Sequence, residues 1–115
     1  MTSRIRIPTF DAEVVFIFDA DKGTVERFLN RLAKLKTERL QDEYVGITLD
    51  IGNMTWVIYI PDTTPMDDIQ LVRTLSHETT HVVLQLLDRV GVQDDETFCY
   101  SQDSLLGMLL EKVAR

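Results

Sequence analysis

The chain has 115 residues, 44% of them hydrophobic and 27% charged, enough for one globular domain (residues 1–115) with a core that needs no disulfide. Nineteen acidic residues against twelve basic ones leave a net charge of −7. This argues against nucleic-acid binding, and no apolar run reaches the length of a membrane span. A single cysteine, Cys99, excludes an intramolecular disulfide and fits a reducing compartment. With no apolar stretch of signal-peptide type after the first arginines, the expected location is the cytoplasm.

In chain order, Ile5–Ile7 and Glu13–Phe18 are β-prone, and Val14 to Phe18 form a continuous apolar run of the kind that fills a strand buried on both faces. Val25, Phe28, Leu29, Leu32, Leu35 and Leu40 then recur at helical spacing. They predict an amphipathic helix of about four turns that covers one face of the sheet. Its cations, Arg27, Arg31, Lys34, Lys36 and Arg39, are interspersed with Glu26 and Glu38 and read as a solvated face. Two more β runs, Tyr44–Ile51 and Met54–Ile60, flank Gly52 and Asn53, which suit a tight hairpin. In the second run Met54, Trp56, Ile58 and Ile60 face one way, and Thr55, Val57 and Tyr59 the other.

Thr64, Pro65 and Asp67 predict the start of a long helix that ends near Val90, where Gly91 is placed to adopt a left-handed conformation. The helix contains His77, Glu78, Thr79, Thr80 and His81, an HExxH motif holding both histidines of the chain. Histidines four apart share one helix face, so both imidazoles can hold one zinc ion (Zn2+). Glu78 beside them can then take a proton from the water that the metal acidifies. At roughly 100° per residue, Val72, Leu75, Thr79, Val83, Leu86 and Val90 fall on one stripe, while His77 and His81 point to nearly the opposite side with Gln70, Thr74 and Asp88. The motif thus belongs to the solvent side, where a metal site belongs.

A final helix is expected from Asp95 to Val113, with Phe98, Ser101, Leu105 and Leu109 on one side and Glu96, Tyr100, Asp103 and Gly107 on another. A catalytic zinc site usually has three protein ligands. If this helix returns antiparallel against the first, Glu96 is the leading candidate for the third, with Asp103, Cys99 and Asp88 as alternatives. Tyr100 is the candidate oxyanion donor, and Asp103 could instead orient a histidine. An acid in the first turn of a helix also complements its dipole, the simpler reading of Glu96.

The order of a small sheet with a helix, an HExxH helix, a glycine and a helix bearing a glutamate resembles the zincin metallopeptidases, in particular the glutamate-ligand branch, the gluzincins. The stretch from His77 to Tyr100 is also similar to short phage-encoded proteins with an HExxH helix, a glycine break and an E-x-F-x-Y run. The resemblance covers about the last 50 residues. It implies an α+β fold, a small mixed β-sheet with one covering helix followed by the HExxH helix and a C-terminal helix. It further implies His77, His81 and Glu96 as metal ligands, Glu78 as base, a peptide or protein substrate, and an edge strand, Met54–Ile60, that aligns that substrate. Tyr100 stands where gluzincins carry an aspartate, and Leu84 and Leu87 replace the glycine and histidine of the metzincin extension. The expected function is therefore a zinc-dependent hydrolase, first of all a metallopeptidase. The alternative is a catalytically inactive, metal-stabilised phage assembly or protein-interaction domain.

Overall fold

The computed structural model describes residues 1–33 and 45–114. Leu35, Leu40, Tyr44 and the cations from Lys34 to Arg39 lie outside the described residues. Four strands, β1 (Thr2–Ile7), β2 (Ala12–Phe18), β3 (Ile47–Gly52) and β4 (Thr55–Ile60), form one mixed sheet in the order β1-β2-β4-β3. Helix α1 (Lys22–Ala33) follows β2, and α2 (Asp68–Val90) and α3 (Asp95–Lys112) follow β4. The fold is α+β, and among the described residues no helix is long and apolar enough to cross a membrane.

Two antiparallel hairpins are joined by the parallel pairing of β2 with β4. The chain leaves β2, passes through α1 to the outer strand β3, and turns back so that β4 fills the gap. The edge strands are therefore β1 and β3, and Met54–Ile60, expected at the edge, forms the inner strand β4. The apolar content of the runs explains this: Trp56, Val57, Ile58, Tyr59 and Ile60 are buried on both faces, whereas β3 carries Thr48, Asp50 and Gly52. In the β3–β4 turn Asn53 and Met54 both have positive φ, 53° and 55°, with Gly52 at 83° before them. The two-residue loop that matches the strand twist thus falls one residue later than Gly52–Asn53.

The period-two alternation sorts the core into two layers. Val15, Ile17, Val57 and Tyr59 face Val25 and Leu29 of α1, while Val14, Phe16, Trp56, Ile58 and Ile60 face Leu75, Val82, Leu86, Leu105 and Leu109 of α2 and α3. Asp19, at positive φ, clamps the ends of β2 and β4 by accepting hydrogen bonds from the Thr63 amide (2.6 Å) and hydroxyl (2.7 Å). Asp21 caps α1, and the Thr24 hydroxyl and amide it accepts hold its carboxyl below the usual range.

Helix α2 begins later than Thr64 and Pro65 suggest. The Thr64 amide and hydroxyl donate to Asp62, which closes a turn around Thr63–Thr64 and makes Thr64 a donor rather than a cap. The capping residue is Asp67. Its carboxylate accepts the Gln70 amide at 2.8 Å, and the Gln70 side chain returns to the Asp67 amide at 3.1 Å. At the other end Gly91, at φ 76°, closes α2 as expected, with its amide 3.2 Å from the Asp88 carbonyl. The motif-bearing helix is thus terminated by local chemistry at both ends.

Candidate metal and proton-transfer site

His77 and His81 stand one turn apart on the exposed face of α2, away from the buried residues Leu75, Thr79, Val82, Val83 and Leu86. Their Nε2 atoms are 3.1 Å apart, with ring centroids 4.7 Å apart and planes at 86°. Two nitrogens bound to a tetrahedral zinc at roughly 2.0–2.1 Å stand roughly 3.3–3.4 Å from each other. The separation of the two nitrogens is thus within a few tenths of an ångström of the span that one shared zinc ion requires. Without a metal, the same contact is a hydrogen bond in which one ring donates and the other accepts.

Glu78, the residue between them in the motif, turns toward the sheet and is only 5% exposed. Its Oε2 accepts the hydroxyl of Thr48 on β3 at 2.6 Å. The alternation of β3 makes this contact possible: Ile47, Leu49 and Ile51 pack toward α1, leaving Thr48 and Asp50 on the α2 side. Asp50 completes the attachment through an ion pair with Arg89, whose guanidinium also lies 5.2 Å from the centre of the Trp56 ring. The Arg89 hydrogen bond holds the Asp50 carboxyl below its ordinary range. Trp56 in turn donates its indole N–H to Gln85 at 2.8 Å. Gly46, just before β3, sits so close to α2 that a Cβ there would stand 2.6 Å from Ile60 Cδ1, 3.3 Å from Thr74 and 3.4 Å from Glu78. The motif glutamate is thus wedged between its helix and the edge strand.

The other side of α2 meets α3. Gln102 donates through its side-chain amide to the Ser76 carbonyl (3.0 Å) and to the Thr79 and Thr80 hydroxyls (both 2.9 Å), which fixes the register of α3 against the two central residues of the motif. Glu96 and Asp103 are exposed, and at helical spacing they point roughly 100–120° away from Gln102. Glu96 lies with Asp95 in the first turn of α3, capped by Asp94, where an acid complements the helix dipole. Tyr100 is 73% exposed and lines a cleft with Pro8, Phe10 and Met108, on the side of the sheet's first hairpin. Cys99 and Asp88 are also exposed. Among the described residues, no group of three His, Cys, Asp or Glu side chains stands in a metal-binding arrangement.

The structure therefore brings the His77 and His81 imidazoles together, turns the Glu78 carboxylate toward β3, and does not bring Glu96 or Tyr100 to the imidazoles. It adds Thr48 and Gln102, which carry no signal in the sequence because only the strand register and the helix pairing place them. The two imidazoles fit a zinc ion as a chelating pair, and the described residues offer no third side chain beside them. Comparisons of the chain with protein-family models, with curated proteins and with solved structures found no match.

Proposed function

We propose that this chain is a small zinc-dependent hydrolase of peptide bonds, with His77 and His81 as metal ligands and Glu78 as the proton-transfer group. The observation that carries this reading is the convergence of two imidazole nitrogens, 3.1 Å apart, one residue from a carboxylate held against the edge strand. Zinc, when bound, supplies a Lewis acid that polarises a carbonyl and acidifies water. The Thr48 hydroxyl occupies Oε2 of Glu78, which leaves Oε1 to accept a proton and return it to the leaving amine. Strand β3, which among the described residues pairs on one side only, offers its other edge to an extended substrate backbone. Coordination beyond the two imidazoles falls to solvent and substrate in this reading, with Glu96 the sequence-based candidate to be tested beside them.

Metal content per chain, measured by mass spectrometry on untagged protein purified without chelators, tests the proposal together with hydrolysis of a mixed peptide pool. The expected result is about one zinc per chain, lost in His81→Ala and retained in Glu78→Gln, with hydrolysis reduced roughly 100-fold or more in Glu78→Gln. Metal-free wild-type protein, or undiminished hydrolysis by Glu78→Gln, overturns it.

One observation favours a second reading. Among the described residues the imidazole pair has no third protein ligand. Two copies, each contributing His77 and His81, would close a four-nitrogen zinc site, and the chain would be a metal-bridged assembly domain without catalysis. Half a zinc per chain and a dimer that dissociates with chelator in sedimentation velocity would establish this reading over the first.

A further inference from the structure

A cleft of about 620 Å³ lies along the same face of α2 as the imidazoles, toward the helix N-terminus. Val45, Pro61, Pro65 and Met66 give it apolar walls, and Gln70, Arg73 and Thr74 of α2 form its floor. Thr74 and His77 are three residues apart, so the cleft begins about one helical turn, roughly 5 Å, from the first imidazole. From Thr74 to the middle of the imidazole pair is roughly 7–8 Å along the helix, the length of about two residues of extended chain. Gly46, packed against both Thr74 and Glu78, joins the cleft to the site at the start of the edge strand.

The chemistry of the cleft is asymmetric. Arg73 is exposed and forms no ion pair among the described residues. The carboxylate on the same wall, Asp62, is engaged by the Thr64 amide and hydroxyl, which hold it below the usual carboxylate range. Gln70 Oε1 is committed to the Asp67 amide. The charged group left to meet a ligand is the Arg73 guanidinium, whose planar fork suits a carboxylate. In a chain of net charge −7, that cation is the feature that would draw an acidic group to this face.

Resting on the hydrolase reading, we propose that this cleft selects the substrate: it takes an apolar side chain within two residues of the scissile bond, and Arg73 binds a carboxylate next to it. The carboxylate is either the C-terminus of a short peptide or an acidic side chain inside a longer one.

The test uses zinc-loaded Glu78→Gln protein, so that binding is read without turnover, and calorimetric titration with four hexapeptides of common apolar core. One has a free C-terminus, one is amidated, and two are amidated with either aspartate or asparagine beside the apolar residue. Peptide cleavage by the wild-type protein is followed in parallel. The free-acid or the aspartate peptide is expected to bind roughly ten-fold more tightly than its uncharged counterpart. Which of the two does so identifies the source of the carboxylate. Arg73→Gln in the same background brings the ratio near one, and Arg73→Lys keeps part of it, while thermal melts confirm that both variants fold. Equal affinity for charged and uncharged peptides, or a preference that survives Arg73→Gln, overturns the proposal and leaves the hydrolase reading standing. Zinc-loaded protein that neither binds nor cleaves any of the peptides overturns both.

Discussion

The contact between Thr48 and Glu78 gives the sharpest test of how this site is built. Thr48→Val preserves shape and β propensity but removes the hydroxyl that donates to Oε2 at 2.6 Å. Glu78 is 5% exposed, so its carboxylate loses a donor that water replaces poorly. A hydrogen bond to a charged group is worth roughly 1.5–3 kcal/mol. Unfolding entropy of roughly 2.1 cal/mol/K per residue gives about 240 cal/mol/K for a chain of this length, so the loss corresponds to a fall in Tm of roughly 6–12 °C. The double variant Thr48→Val/Glu78→Leu removes both partners and should regain most of that loss, because an apolar pair leaves nothing unsatisfied. Urea unfolding of the wild type, both single variants and the double variant closes a double-mutant cycle. A coupling energy near zero, or a cost below about 0.5 kcal/mol for Thr48→Val, would refute the argument that the edge strand holds the motif glutamate.

Three further outcomes are expected. Gly46→Ala places a methyl group 2.6 Å from Cδ1 of the fully buried Ile60 and should cost roughly 1–3 kcal/mol in urea unfolding; Ile60→Val, which deletes that atom, should relieve part of it, and an unchanged midpoint in Gly46→Ala would contradict the close approach. Because Arg89 lowers the Asp50 pKa in the folded chain, this pair contributes stability at pH values above the unfolded aspartate pKa of about 3.9, and the contribution fades as pH falls through the lower folded value. Asp50→Asn should therefore narrow the stability difference between pH 7 and pH 3, by a small amount given the exposure of both side chains, and an identical pH profile in thermal melts would count against it. Glu96→Ala should leave zinc affinity within about two-fold of wild type by competition titration, whereas loss of a ligand would weaken it by far more.

Much of the architecture is local and was readable as such. The period-two alternation in β4 divides Trp56, Ile58 and Ile60 from Val57 and Tyr59, and the two core layers separate these same residues. The apolar run Val14–Phe18 is a strand buried on both faces, Gly91 ends α2, and the spacing of His77 and His81 puts both imidazoles on the solvent side. Backbone geometry alone imposes these periods, so a single segment carries them.

Other features depended on which segments meet. The position of β4 inside the sheet, with β3 at its edge, follows from the parallel pairing of β2 and β4, a contact between residues about forty positions apart. Thr48 reaches Glu78 across thirty residues, and Gln102 reaches Ser76 and Thr79 across more than twenty. Sequence order makes Glu96 the leading candidate for a third ligand, and the rotation of α3 set by Gln102 and by the buried Leu105 and Leu109 leaves it on the exposed side. What the sequence by itself determined is which side chains share a face of their own helix or strand, because the dihedral angles of one segment set that. Which faces oppose each other, and so which donor meets Glu78 and which residues stand near the imidazoles, was decided only by tertiary packing. That choice rests on the fit of apolar surfaces contributed by distant segments, and no single segment contains it.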